Sequence, residues 1–175
     1  MTSLLLAKEL FFSSTHRYWR DDWSEEQNRE CFGRCVNVHG HDYAVQISLA
    51  GEPDAATGMI VNLTDVKQAA QPILAELDGH HLNDTAAFHD KVPTTEHIAL
   101  HLADALAAEL PPGVFHGVRV AEEPDLWATA GKGGLRVGRA WRFTAATAKG
   151  EGHNFRLCAE VVGRLDPETG MARDL

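Results

Sequence analysis

Three histidines near the start of the chain have the spacing of a metal site. His39 and His41 are separated by one glycine, and residues i and i+2 of a strand point to the same face, so these imidazoles would lie side by side. His16 ends the preceding apolar segment and would supply a third imidazole if the two strands pair. Three neutral nitrogen ligands leave Zn²⁺ an open coordination position, as in catalytic zinc sites. The pattern predicts a zinc cofactor, against the alternative that ten histidines in 175 residues fall close together by chance.

A cysteine stands close to these histidines in the sequence. Cys35 precedes His39 by four residues, and a thiol beside a zinc dication would have a lowered pKa and act as a base or nucleophile. Cys31 competes for this role because it lies in the same loop. The alternative for either residue is burial as a small hydrophobic side chain, which is the commoner fate of a free cysteine.

Further polar residues lie where predicted elements begin or end. Asp78 and His80 follow a helix, where an acid near an imidazole would form a proton relay; the alternative is an Asp-Gly sequence that only ends the helix. The segment Thr94-Thr95-Glu96 has a sufficient explanation as a helix cap with an acid in the first turn. Glu122 ends an apolar strand, and a buried acid needs a partner, for which a heterocycle with an amidine-like N–H pair would serve.

Strands and helices must hold these residues in place. From His41 onward, apolar and polar residues alternate to Leu49, which marks a half-buried strand. The other predicted elements are a strand over 4–16, a mobile loop over 17–38, a helix capped by Asn62, a helix from Thr94 to residue 110, and a strand over 117–122 paired near Trp127.

The end of the chain repeats an earlier part of it. Residues 151–175 align without a gap onto residues 39–63 with eight identities, and residues 143–147 resemble residues 12–16. The alternative is chance similarity between two strand-turn segments. Because the second copy stops where the first enters its helix, it represents half a unit.

These motifs resemble the 6-pyruvoyltetrahydropterin synthase / 6-carboxytetrahydropterin synthase family over about residues 5–130. The resemblance is carried by Phe12-Ser13-Ser14-Thr15-His16, Cys35 to Tyr43, Thr57-Gly58-Met59-Ile60-Val61-Asn62-Leu63, Leu77-Asp78 with Leu82-Asn83-Asp84, Pro93-Thr94-Thr95-Glu96, and Val118-Arg119-Val120-Ala121-Glu122. It implies an α+β tunnelling fold, in which four-stranded antiparallel sheets with two helices on one face form a homo-oligomeric β-barrel. The active sites would then lie between subunits.

The resemblance also implies a role for each candidate residue. Zinc would be bound by the three histidines, Cys35 would be the catalytic cysteine, and Glu122 with Thr94–Glu96 would anchor the pterin. The implied substrate is 7,8-dihydroneopterin triphosphate, a small molecule from which triphosphate is eliminated. The family has adjacent Asp and His residues where this chain has Asp78 and Gly79, so His80 is the candidate replacement.

Two products are known for this family. The three residues between Cys35 and His39 resemble the carboxy-type enzymes of queuosine biosynthesis, whereas the sequence Phe32-Gly33-Arg34-Cys35 resembles the pyruvoyl type. The spacing favours 6-carboxy-5,6,7,8-tetrahydropterin as the product. The alternatives are the pyruvoyl product, an altered reaction on a related pterin, and a non-catalytic pterin- or zinc-binding homologue.

The C-terminal repeat would enlarge the sheet of such a subunit. Its positions equivalent to the three histidines are Thr147, Glu151 and His153, so it cannot form the same site. We therefore divide the chain into a pterin synthase-like domain (1–131) and an appended hairpin (132–175). A lone hairpin is marginal in water, so this one should join the sheet and give six strands per subunit. The resemblance implies a ring of three four-stranded subunits, which has twelve strands. Two six-stranded subunits also supply twelve strands, so we predict a ring of two.

Composition excludes several other classes of function. The net charge of −9 leaves no basic stripe for nucleic acid, although a local site can still bind a small anion. The apolar run at residues 4–7 is too short for a signal peptide or a membrane span. Three cysteines fit a reducing compartment, so we expect a cytoplasmic enzyme that binds neither membrane nor nucleic acid.

Overall fold

The computed structural model describes residues 4–172. They form one antiparallel sheet of six strands, in which every strand pairs with its neighbour in the sequence. The elements in chain order are β1 (Leu4–His16), α1 (Glu25–Phe32), β2 (His39–Gly51), α2 (Leu63–Ala75), α3 (Thr95–Glu109), β3 (Phe115–Glu123), β4 (Leu126–Gly131), β5 (Arg136–Ala146) and β6 (Gly152–Val162). No helix in this part of the chain is long and apolar enough to cross a membrane.

The core lies between one face of the sheet and the helices α2 and α3. Asn62 caps α2 by accepting a hydrogen bond from the Thr64 N–H at 2.9 Å, and Thr94 caps α3 by accepting one from the His97 N–H at 3.2 Å. Both predicted helices and the pairing of β3 with β4 are therefore present. The fully buried side chains of this core include Tyr43, Val45, Ile47, Leu49, Val66, Ala70, Leu77, Ile98, Ala99 and Leu102.

The segment predicted as a mobile loop, residues 17–38, contains the helix α1, so the prediction that it lacks secondary structure is wrong. Ser24 and Gln27 cap this helix reciprocally. The Ser24 hydroxyl accepts from the Gln27 N–H, and the Gln27 side chain accepts from the Ser24 N–H. At the other end, Phe32 packs with Val92 in a second, smaller cluster that includes Val36, Tyr18, Trp19, Trp23 and Met171. We call this the aromatic cluster. The rest of α1 is polar, so it has no hydrophobic period to reveal it.

The hairpin of β5 and β6 adds to the edge of β4, which confirms the predicted six-stranded sheet. Trp127 on β4 lies over Gly138 on β5, where a side-chain carbon would be only 2.1 Å from the indole ring. The Trp127 Nε1–H also donates to Glu160 on β6 at 3.1 Å. This tryptophan therefore ties the appended strands to the first four.

The apolar face of the hairpin is packed only in its inner half. Val137 is 4% exposed and belongs to the main core, whereas Trp141 and Phe143 are 44% and 50% exposed. This difference arises because α3 packs on β3 and β4, and no described helix follows β6 to cover the outer half.

Candidate metal centre and active site

Strand pairing brings the three histidines together at one end of the sheet. His16, the last residue of β1, is the direct partner of His39, the first residue of β2. His41 lies two residues further along β2. The ring centroids are 4.5 Å apart for His16 and His39, and 5.2 Å apart for His41 and either of the others. One nitrogen from each ring lies within 4.8 Å of the other two, which is close enough for a shared metal ion.

Backbone carbonyls fix the orientation of two of these rings. His16 Nδ1 lies 2.8 Å from the Pro93 carbonyl oxygen, and His39 Nδ1 lies 2.8 Å from the Asn37 carbonyl oxygen. A carbonyl only accepts, so each Nδ1 carries the proton and each Nε2 presents its lone pair, as in zinc sites. The Nε2 of His41 is buried and has no hydrogen-bond partner among residues 4–172. A zinc ion would accept the lone pair of this nitrogen.

The protonation state of His16 also suits a metal ligand. Burial lowers the pKa of His16 to about 4, and the neighbouring His39 and His41 act in the same direction, while the bond to Pro93 opposes them. The ring is therefore neutral near pH 7, which is the form that binds a metal. The three residues predicted as zinc ligands fit Zn²⁺ in geometry and in charge.

Two tyrosines border the histidines and were not singled out from the sequence. The Tyr43 hydroxyl lies 3.4 Å from His16 Nε2, and the Tyr18 ring meets the His16 ring edge-on at 5.4 Å. Burial, followed by the charges of Glu122 and Glu96, raises the pKa of Tyr18 well above its usual value. The i+2 series of His39 and His41 continues to Tyr43, so this signal was present in the sequence.

Cys35 lies near the same group of residues. It sits in a short 3-10 turn after α1 and is half-buried, and its carbonyl oxygen accepts from the Tyr18 N–H at 2.8 Å. Burial and then the charge of Glu122 raise the pKa of the Cys35 thiol, partly offset by Arg34. Cys31 is exposed, and its pKa is raised by burial and by acids of the C-terminal segment instead. Of the two candidates, Cys35 is the one that shares its surroundings with Glu122.

The predicted pterin-anchoring residues divide into two groups. The Thr95 hydroxyl donates to the Glu122 carboxylate. Thr94 and Glu96 contact the C-terminal segment: the Thr94 hydroxyl donates to the Gly170 carbonyl oxygen at 2.7 Å, and Glu96 Oε1 accepts from the Ala172 N–H at 2.9 Å. Burial raises the pKa of Glu96. The half-buried Glu122, held by the buried Thr95, is therefore the one of these acids that the chain does not tie to the C-terminal segment.

Asp78 and His80 lie on the other side of the first strand. Asp78 Oδ1 accepts from the Ser13 N–H at 2.8 Å, and His80 is exposed beside a shallow cavity of about 380 Å³. Within the described chain, neither side chain is hydrogen-bonded to Cys35. The half-buried His81, with Nδ1 3.2 Å from the Thr15 hydroxyl, is the neighbouring imidazole whose charge acts on the pKa of His16.

A larger cavity of about 630 Å³ adjoins this region. Its lining includes the cationic side chains of Arg17, Arg20 and Lys91, together with His81 and His97. Arg20 is already paired with Asp22 at 2.6 Å. The cavity also has acidic residues in its wall, so its cations are local rather than part of a basic surface.

Comparison with known proteins identifies the family. The model of the family described as 6-pyruvoyl tetrahydropterin synthase matches residues 5–132. The chain belongs to this family. It is 40% identical over 121 residues to human 6-pyruvoyl tetrahydrobiopterin synthase, covering 67% of this chain and 83% of the human one. It is 33% identical over 122 residues to the Dictyostelium discoideum enzyme of the same name, covering 69% and 90%.

A solved structure agrees with this assignment. The 6-pyruvoyl tetrahydropterin synthase of Caenorhabditis elegans superposes with a TM-score of 0.72 at 30% identity, covering 75% of this chain and 96% of that one. The family, the α+β tunnelling fold and the lyase class predicted from the sequence are confirmed. The expected role in queuosine biosynthesis gains no support, because these relatives are named for the pyruvoyl product.

Proposed function

We propose that this chain is a zinc-dependent lyase that eliminates triphosphate from 7,8-dihydroneopterin triphosphate. The observation that carries the proposal is the convergence of three histidines. One of their nitrogens, His41 Nε2, is buried and has no hydrogen-bond partner among residues 4–172. Cys35 and the Thr95–Glu122 pair lie in the same electrostatic environment. This combination supplies ligands for a metal, a proton-transfer group and an anchor for the heterocycle, which are what the reaction needs.

The pyruvoyl product is the better-supported of the two. Relatives at 40% and 33% identity are named 6-pyruvoyl tetrahydrobiopterin synthase, and the sequence around Cys35 resembles that type. The short spacing from Cys35 to His39 is the feature that favours the carboxy product. We therefore propose 6-pyruvoyltetrahydropterin as the main product and the carboxy compound as the alternative.

Each residue contributes to substrate binding or proton transfer in this proposal. The Glu122 carboxylate accepts two hydrogen bonds from the amidine-like N–H groups of the pterin, with the Thr95 hydroxyl holding it in position. Bound zinc would polarise the hydroxyl oxygens of the substrate side chain. Cys35 Sγ would accept a proton from a carbon of the substrate side chain. The electron pair left there would form a carbon–carbon double bond as the carbon–oxygen bond breaks and triphosphate leaves. Asp78 and His80 remain the proposed relay.

We propose that the triphosphate binds in the larger cavity, of about 630 Å³. Arg17 and Lys91 supply positive charge there, and Arg17 also stacks on Trp19 with its guanidinium 4.6 Å from the ring centroid. A stacked guanidinium is pre-organised for phosphate oxygens. This arrangement lets an acidic protein bind a strongly anionic small molecule.

We further propose that the enzyme is a cytoplasmic homo-oligomer closed by the outer edges of β1 and β6. The two edge strands run antiparallel to each other in the six-stranded sheet, so β6 of one subunit can pair with β1 of the next in the same sense as the other strands. A ring of two would have twelve strands. Mass photometry tests this prediction, and a ring of three with the hairpin outside the barrel refutes it.

Incubation with the substrate tests the activity. Zinc-loaded protein should release triphosphate from 7,8-dihydroneopterin triphosphate, and mass spectrometry should identify the pterin product. The double variant His39→Ala, His41→Ala should lose both zinc and turnover. Stoichiometric zinc in that variant overturns the metal assignment. Pterin binding without turnover in the zinc-loaded native chain shows a non-catalytic homologue.

A further inference from the structure

The turn that follows β6 repeats the turn that follows β2. In the earlier turn, the Asp54 N–H donates to the Met59 carbonyl oxygen at 2.9 Å and the Gly58 N–H donates to the Asp54 carbonyl oxygen at 2.8 Å. The equivalent bonds from Asp166 and Gly170 have the same two lengths. We call residues 165–172 the C-terminal turn.

The two turns have the same backbone but different surroundings. A side-chain carbon on Gly58 would have no atom within 4 Å, whereas one on Gly170 would lie 2.4 Å from the His97 ring. Met59 is 48% exposed, whereas Met171 packs against the aromatic cluster. The earlier turn therefore projects into solvent, and the C-terminal turn is docked.

The docking surface is the start of α3. The C-terminal turn accepts a hydrogen bond from Thr94 and donates one to Glu96, at 2.7 and 2.9 Å. The Glu168 carbonyl oxygen also accepts from Arg20 at 2.6 Å. Two hydrogen bonds thus join the end of the described chain to the start of α3, more than 70 residues earlier. The contact from Arg20 and the packing of the half-buried Met171 on the aromatic cluster add to them.

The segment that is held in this way touches both halves of the candidate site. The Pro93 carbonyl, directly before Thr94, fixes the His16 ring. Thr95, directly after it, holds Glu122. A shift of the backbone at 93–95 would therefore move the carbonyl that orients His16 and the hydroxyl that holds Glu122 at the same time.

We propose that the C-terminal turn is a positioning element that holds residues 93–96 so that His16 and Glu122 keep their orientation. Because this turn is a copy of the turn at 54–59, the chain supplies the contact from its own repeat and needs no second subunit for it. An effect of this turn on catalysis rests on the proposed function, whereas its effect on metal binding does not.

Two matched glycine variants test the proposal. Gly58 and Gly170 have φ angles of 69° and 70°, so replacement by alanine carries the same backbone strain in both turns. Only Gly170→Ala adds a collision with His97. Zinc affinity, measured with a competing chelator, should fall about tenfold in Gly170→Ala, as for loss of an outer-shell partner. In Gly58→Ala the zinc affinity should stay within about twofold of the native value. That result would show that backbone strain alone does not weaken zinc binding.

A rescue variant separates positioning from general destabilisation. His97→Ala removes the ring that Gly170→Ala would strike, so the double variant should recover the zinc affinity of His97→Ala alone. If Gly170→Ala does not fold, Met171→Ala takes its place with Met59→Ala as its control. Equal zinc affinity in folded members of either pair overturns the proposal. If the proposed substrate is not turned over by the native chain, the function is wrong, and the zinc measurements still decide the role of the turn.

Discussion

Lowering the pH should destabilise the metal-free protein through His16. Burial holds the pKa of this imidazole at about 4 in the folded chain, against 6.5 for an ordinary histidine. Between these values the unfolded chain binds a proton that the folded chain does not, so stability is lost as the pH falls through 6.5 and the loss levels off below about 4. At pH 5 the loss relative to neutral pH is about 2 kcal/mol.

Urea denaturation in the presence of a chelator measures this effect. The native chain and a His16→Asn variant should be compared at pH 7.5 and pH 5, because other groups that titrate in this range contribute to both proteins. The pH-dependent loss should be smaller by about 2 kcal/mol in the variant. An equal pH dependence in the two proteins would refute the assignment of a buried, neutral His16.

Three further outcomes are expected. In metal-free protein Cys35 should be alkylated slowly at neutral pH and faster as the pH rises. Glu122→Gln should increase the alkylation rate at a fixed pH, because burial and then the charge of Glu122 raise the pKa of the thiol and the variant removes that charge. An unchanged rate would show that the thiol does not lie near Glu122. Gly138→Ala should cost about 1–3 kcal/mol in urea denaturation through its collision with a neighbouring indole, while Gly152→Ala, in open space, should cost little. His80→Ala should lower turnover by about two to four orders of magnitude if it is the relay imidazole, and near-native turnover would assign it to the helix end.

The convergence of the three histidines could be predicted because local rules determine their geometry. Alternation along a strand puts His39 and His41 on one face, and pairing of consecutive strands brings His16 beside them. The caps of α2 and α3 were equally visible, since Asn62 and Thr94 precede apolar helical patterns. In each case the signal lies within a few residues.

The features that were missed depend on other kinds of information. The helix α1 is polar, so only its reciprocal cap of Ser24 and Gln27 could have revealed it. The contact of Gly170 with Thr94 joins residues 76 apart. The internal repeat indicated the shape of the C-terminal turn but contained nothing about where that turn would dock. The use of Thr94 and Glu96 by the chain itself was therefore not predictable.

The two hairpins of this sheet differ most in the segments that join their strands. Twenty-two residues, 17–38, connect β1 to β2, whereas five residues, 147–151, connect β5 to β6. The longer connection contains α1, Tyr18 and Cys35. By loop-closure entropy, the difference in length costs only about 1 kcal/mol.

The molecule thus contains two hairpins of the same kind, one with a long insert that carries candidate site residues and one without such an insert. Because the strands form in both, the connection at 17–38 can be redesigned as a unit while His16 and His39 stay at its fixed ends. A library confined to those residues would vary the proposed proton-transfer group and leave the three histidines unchanged.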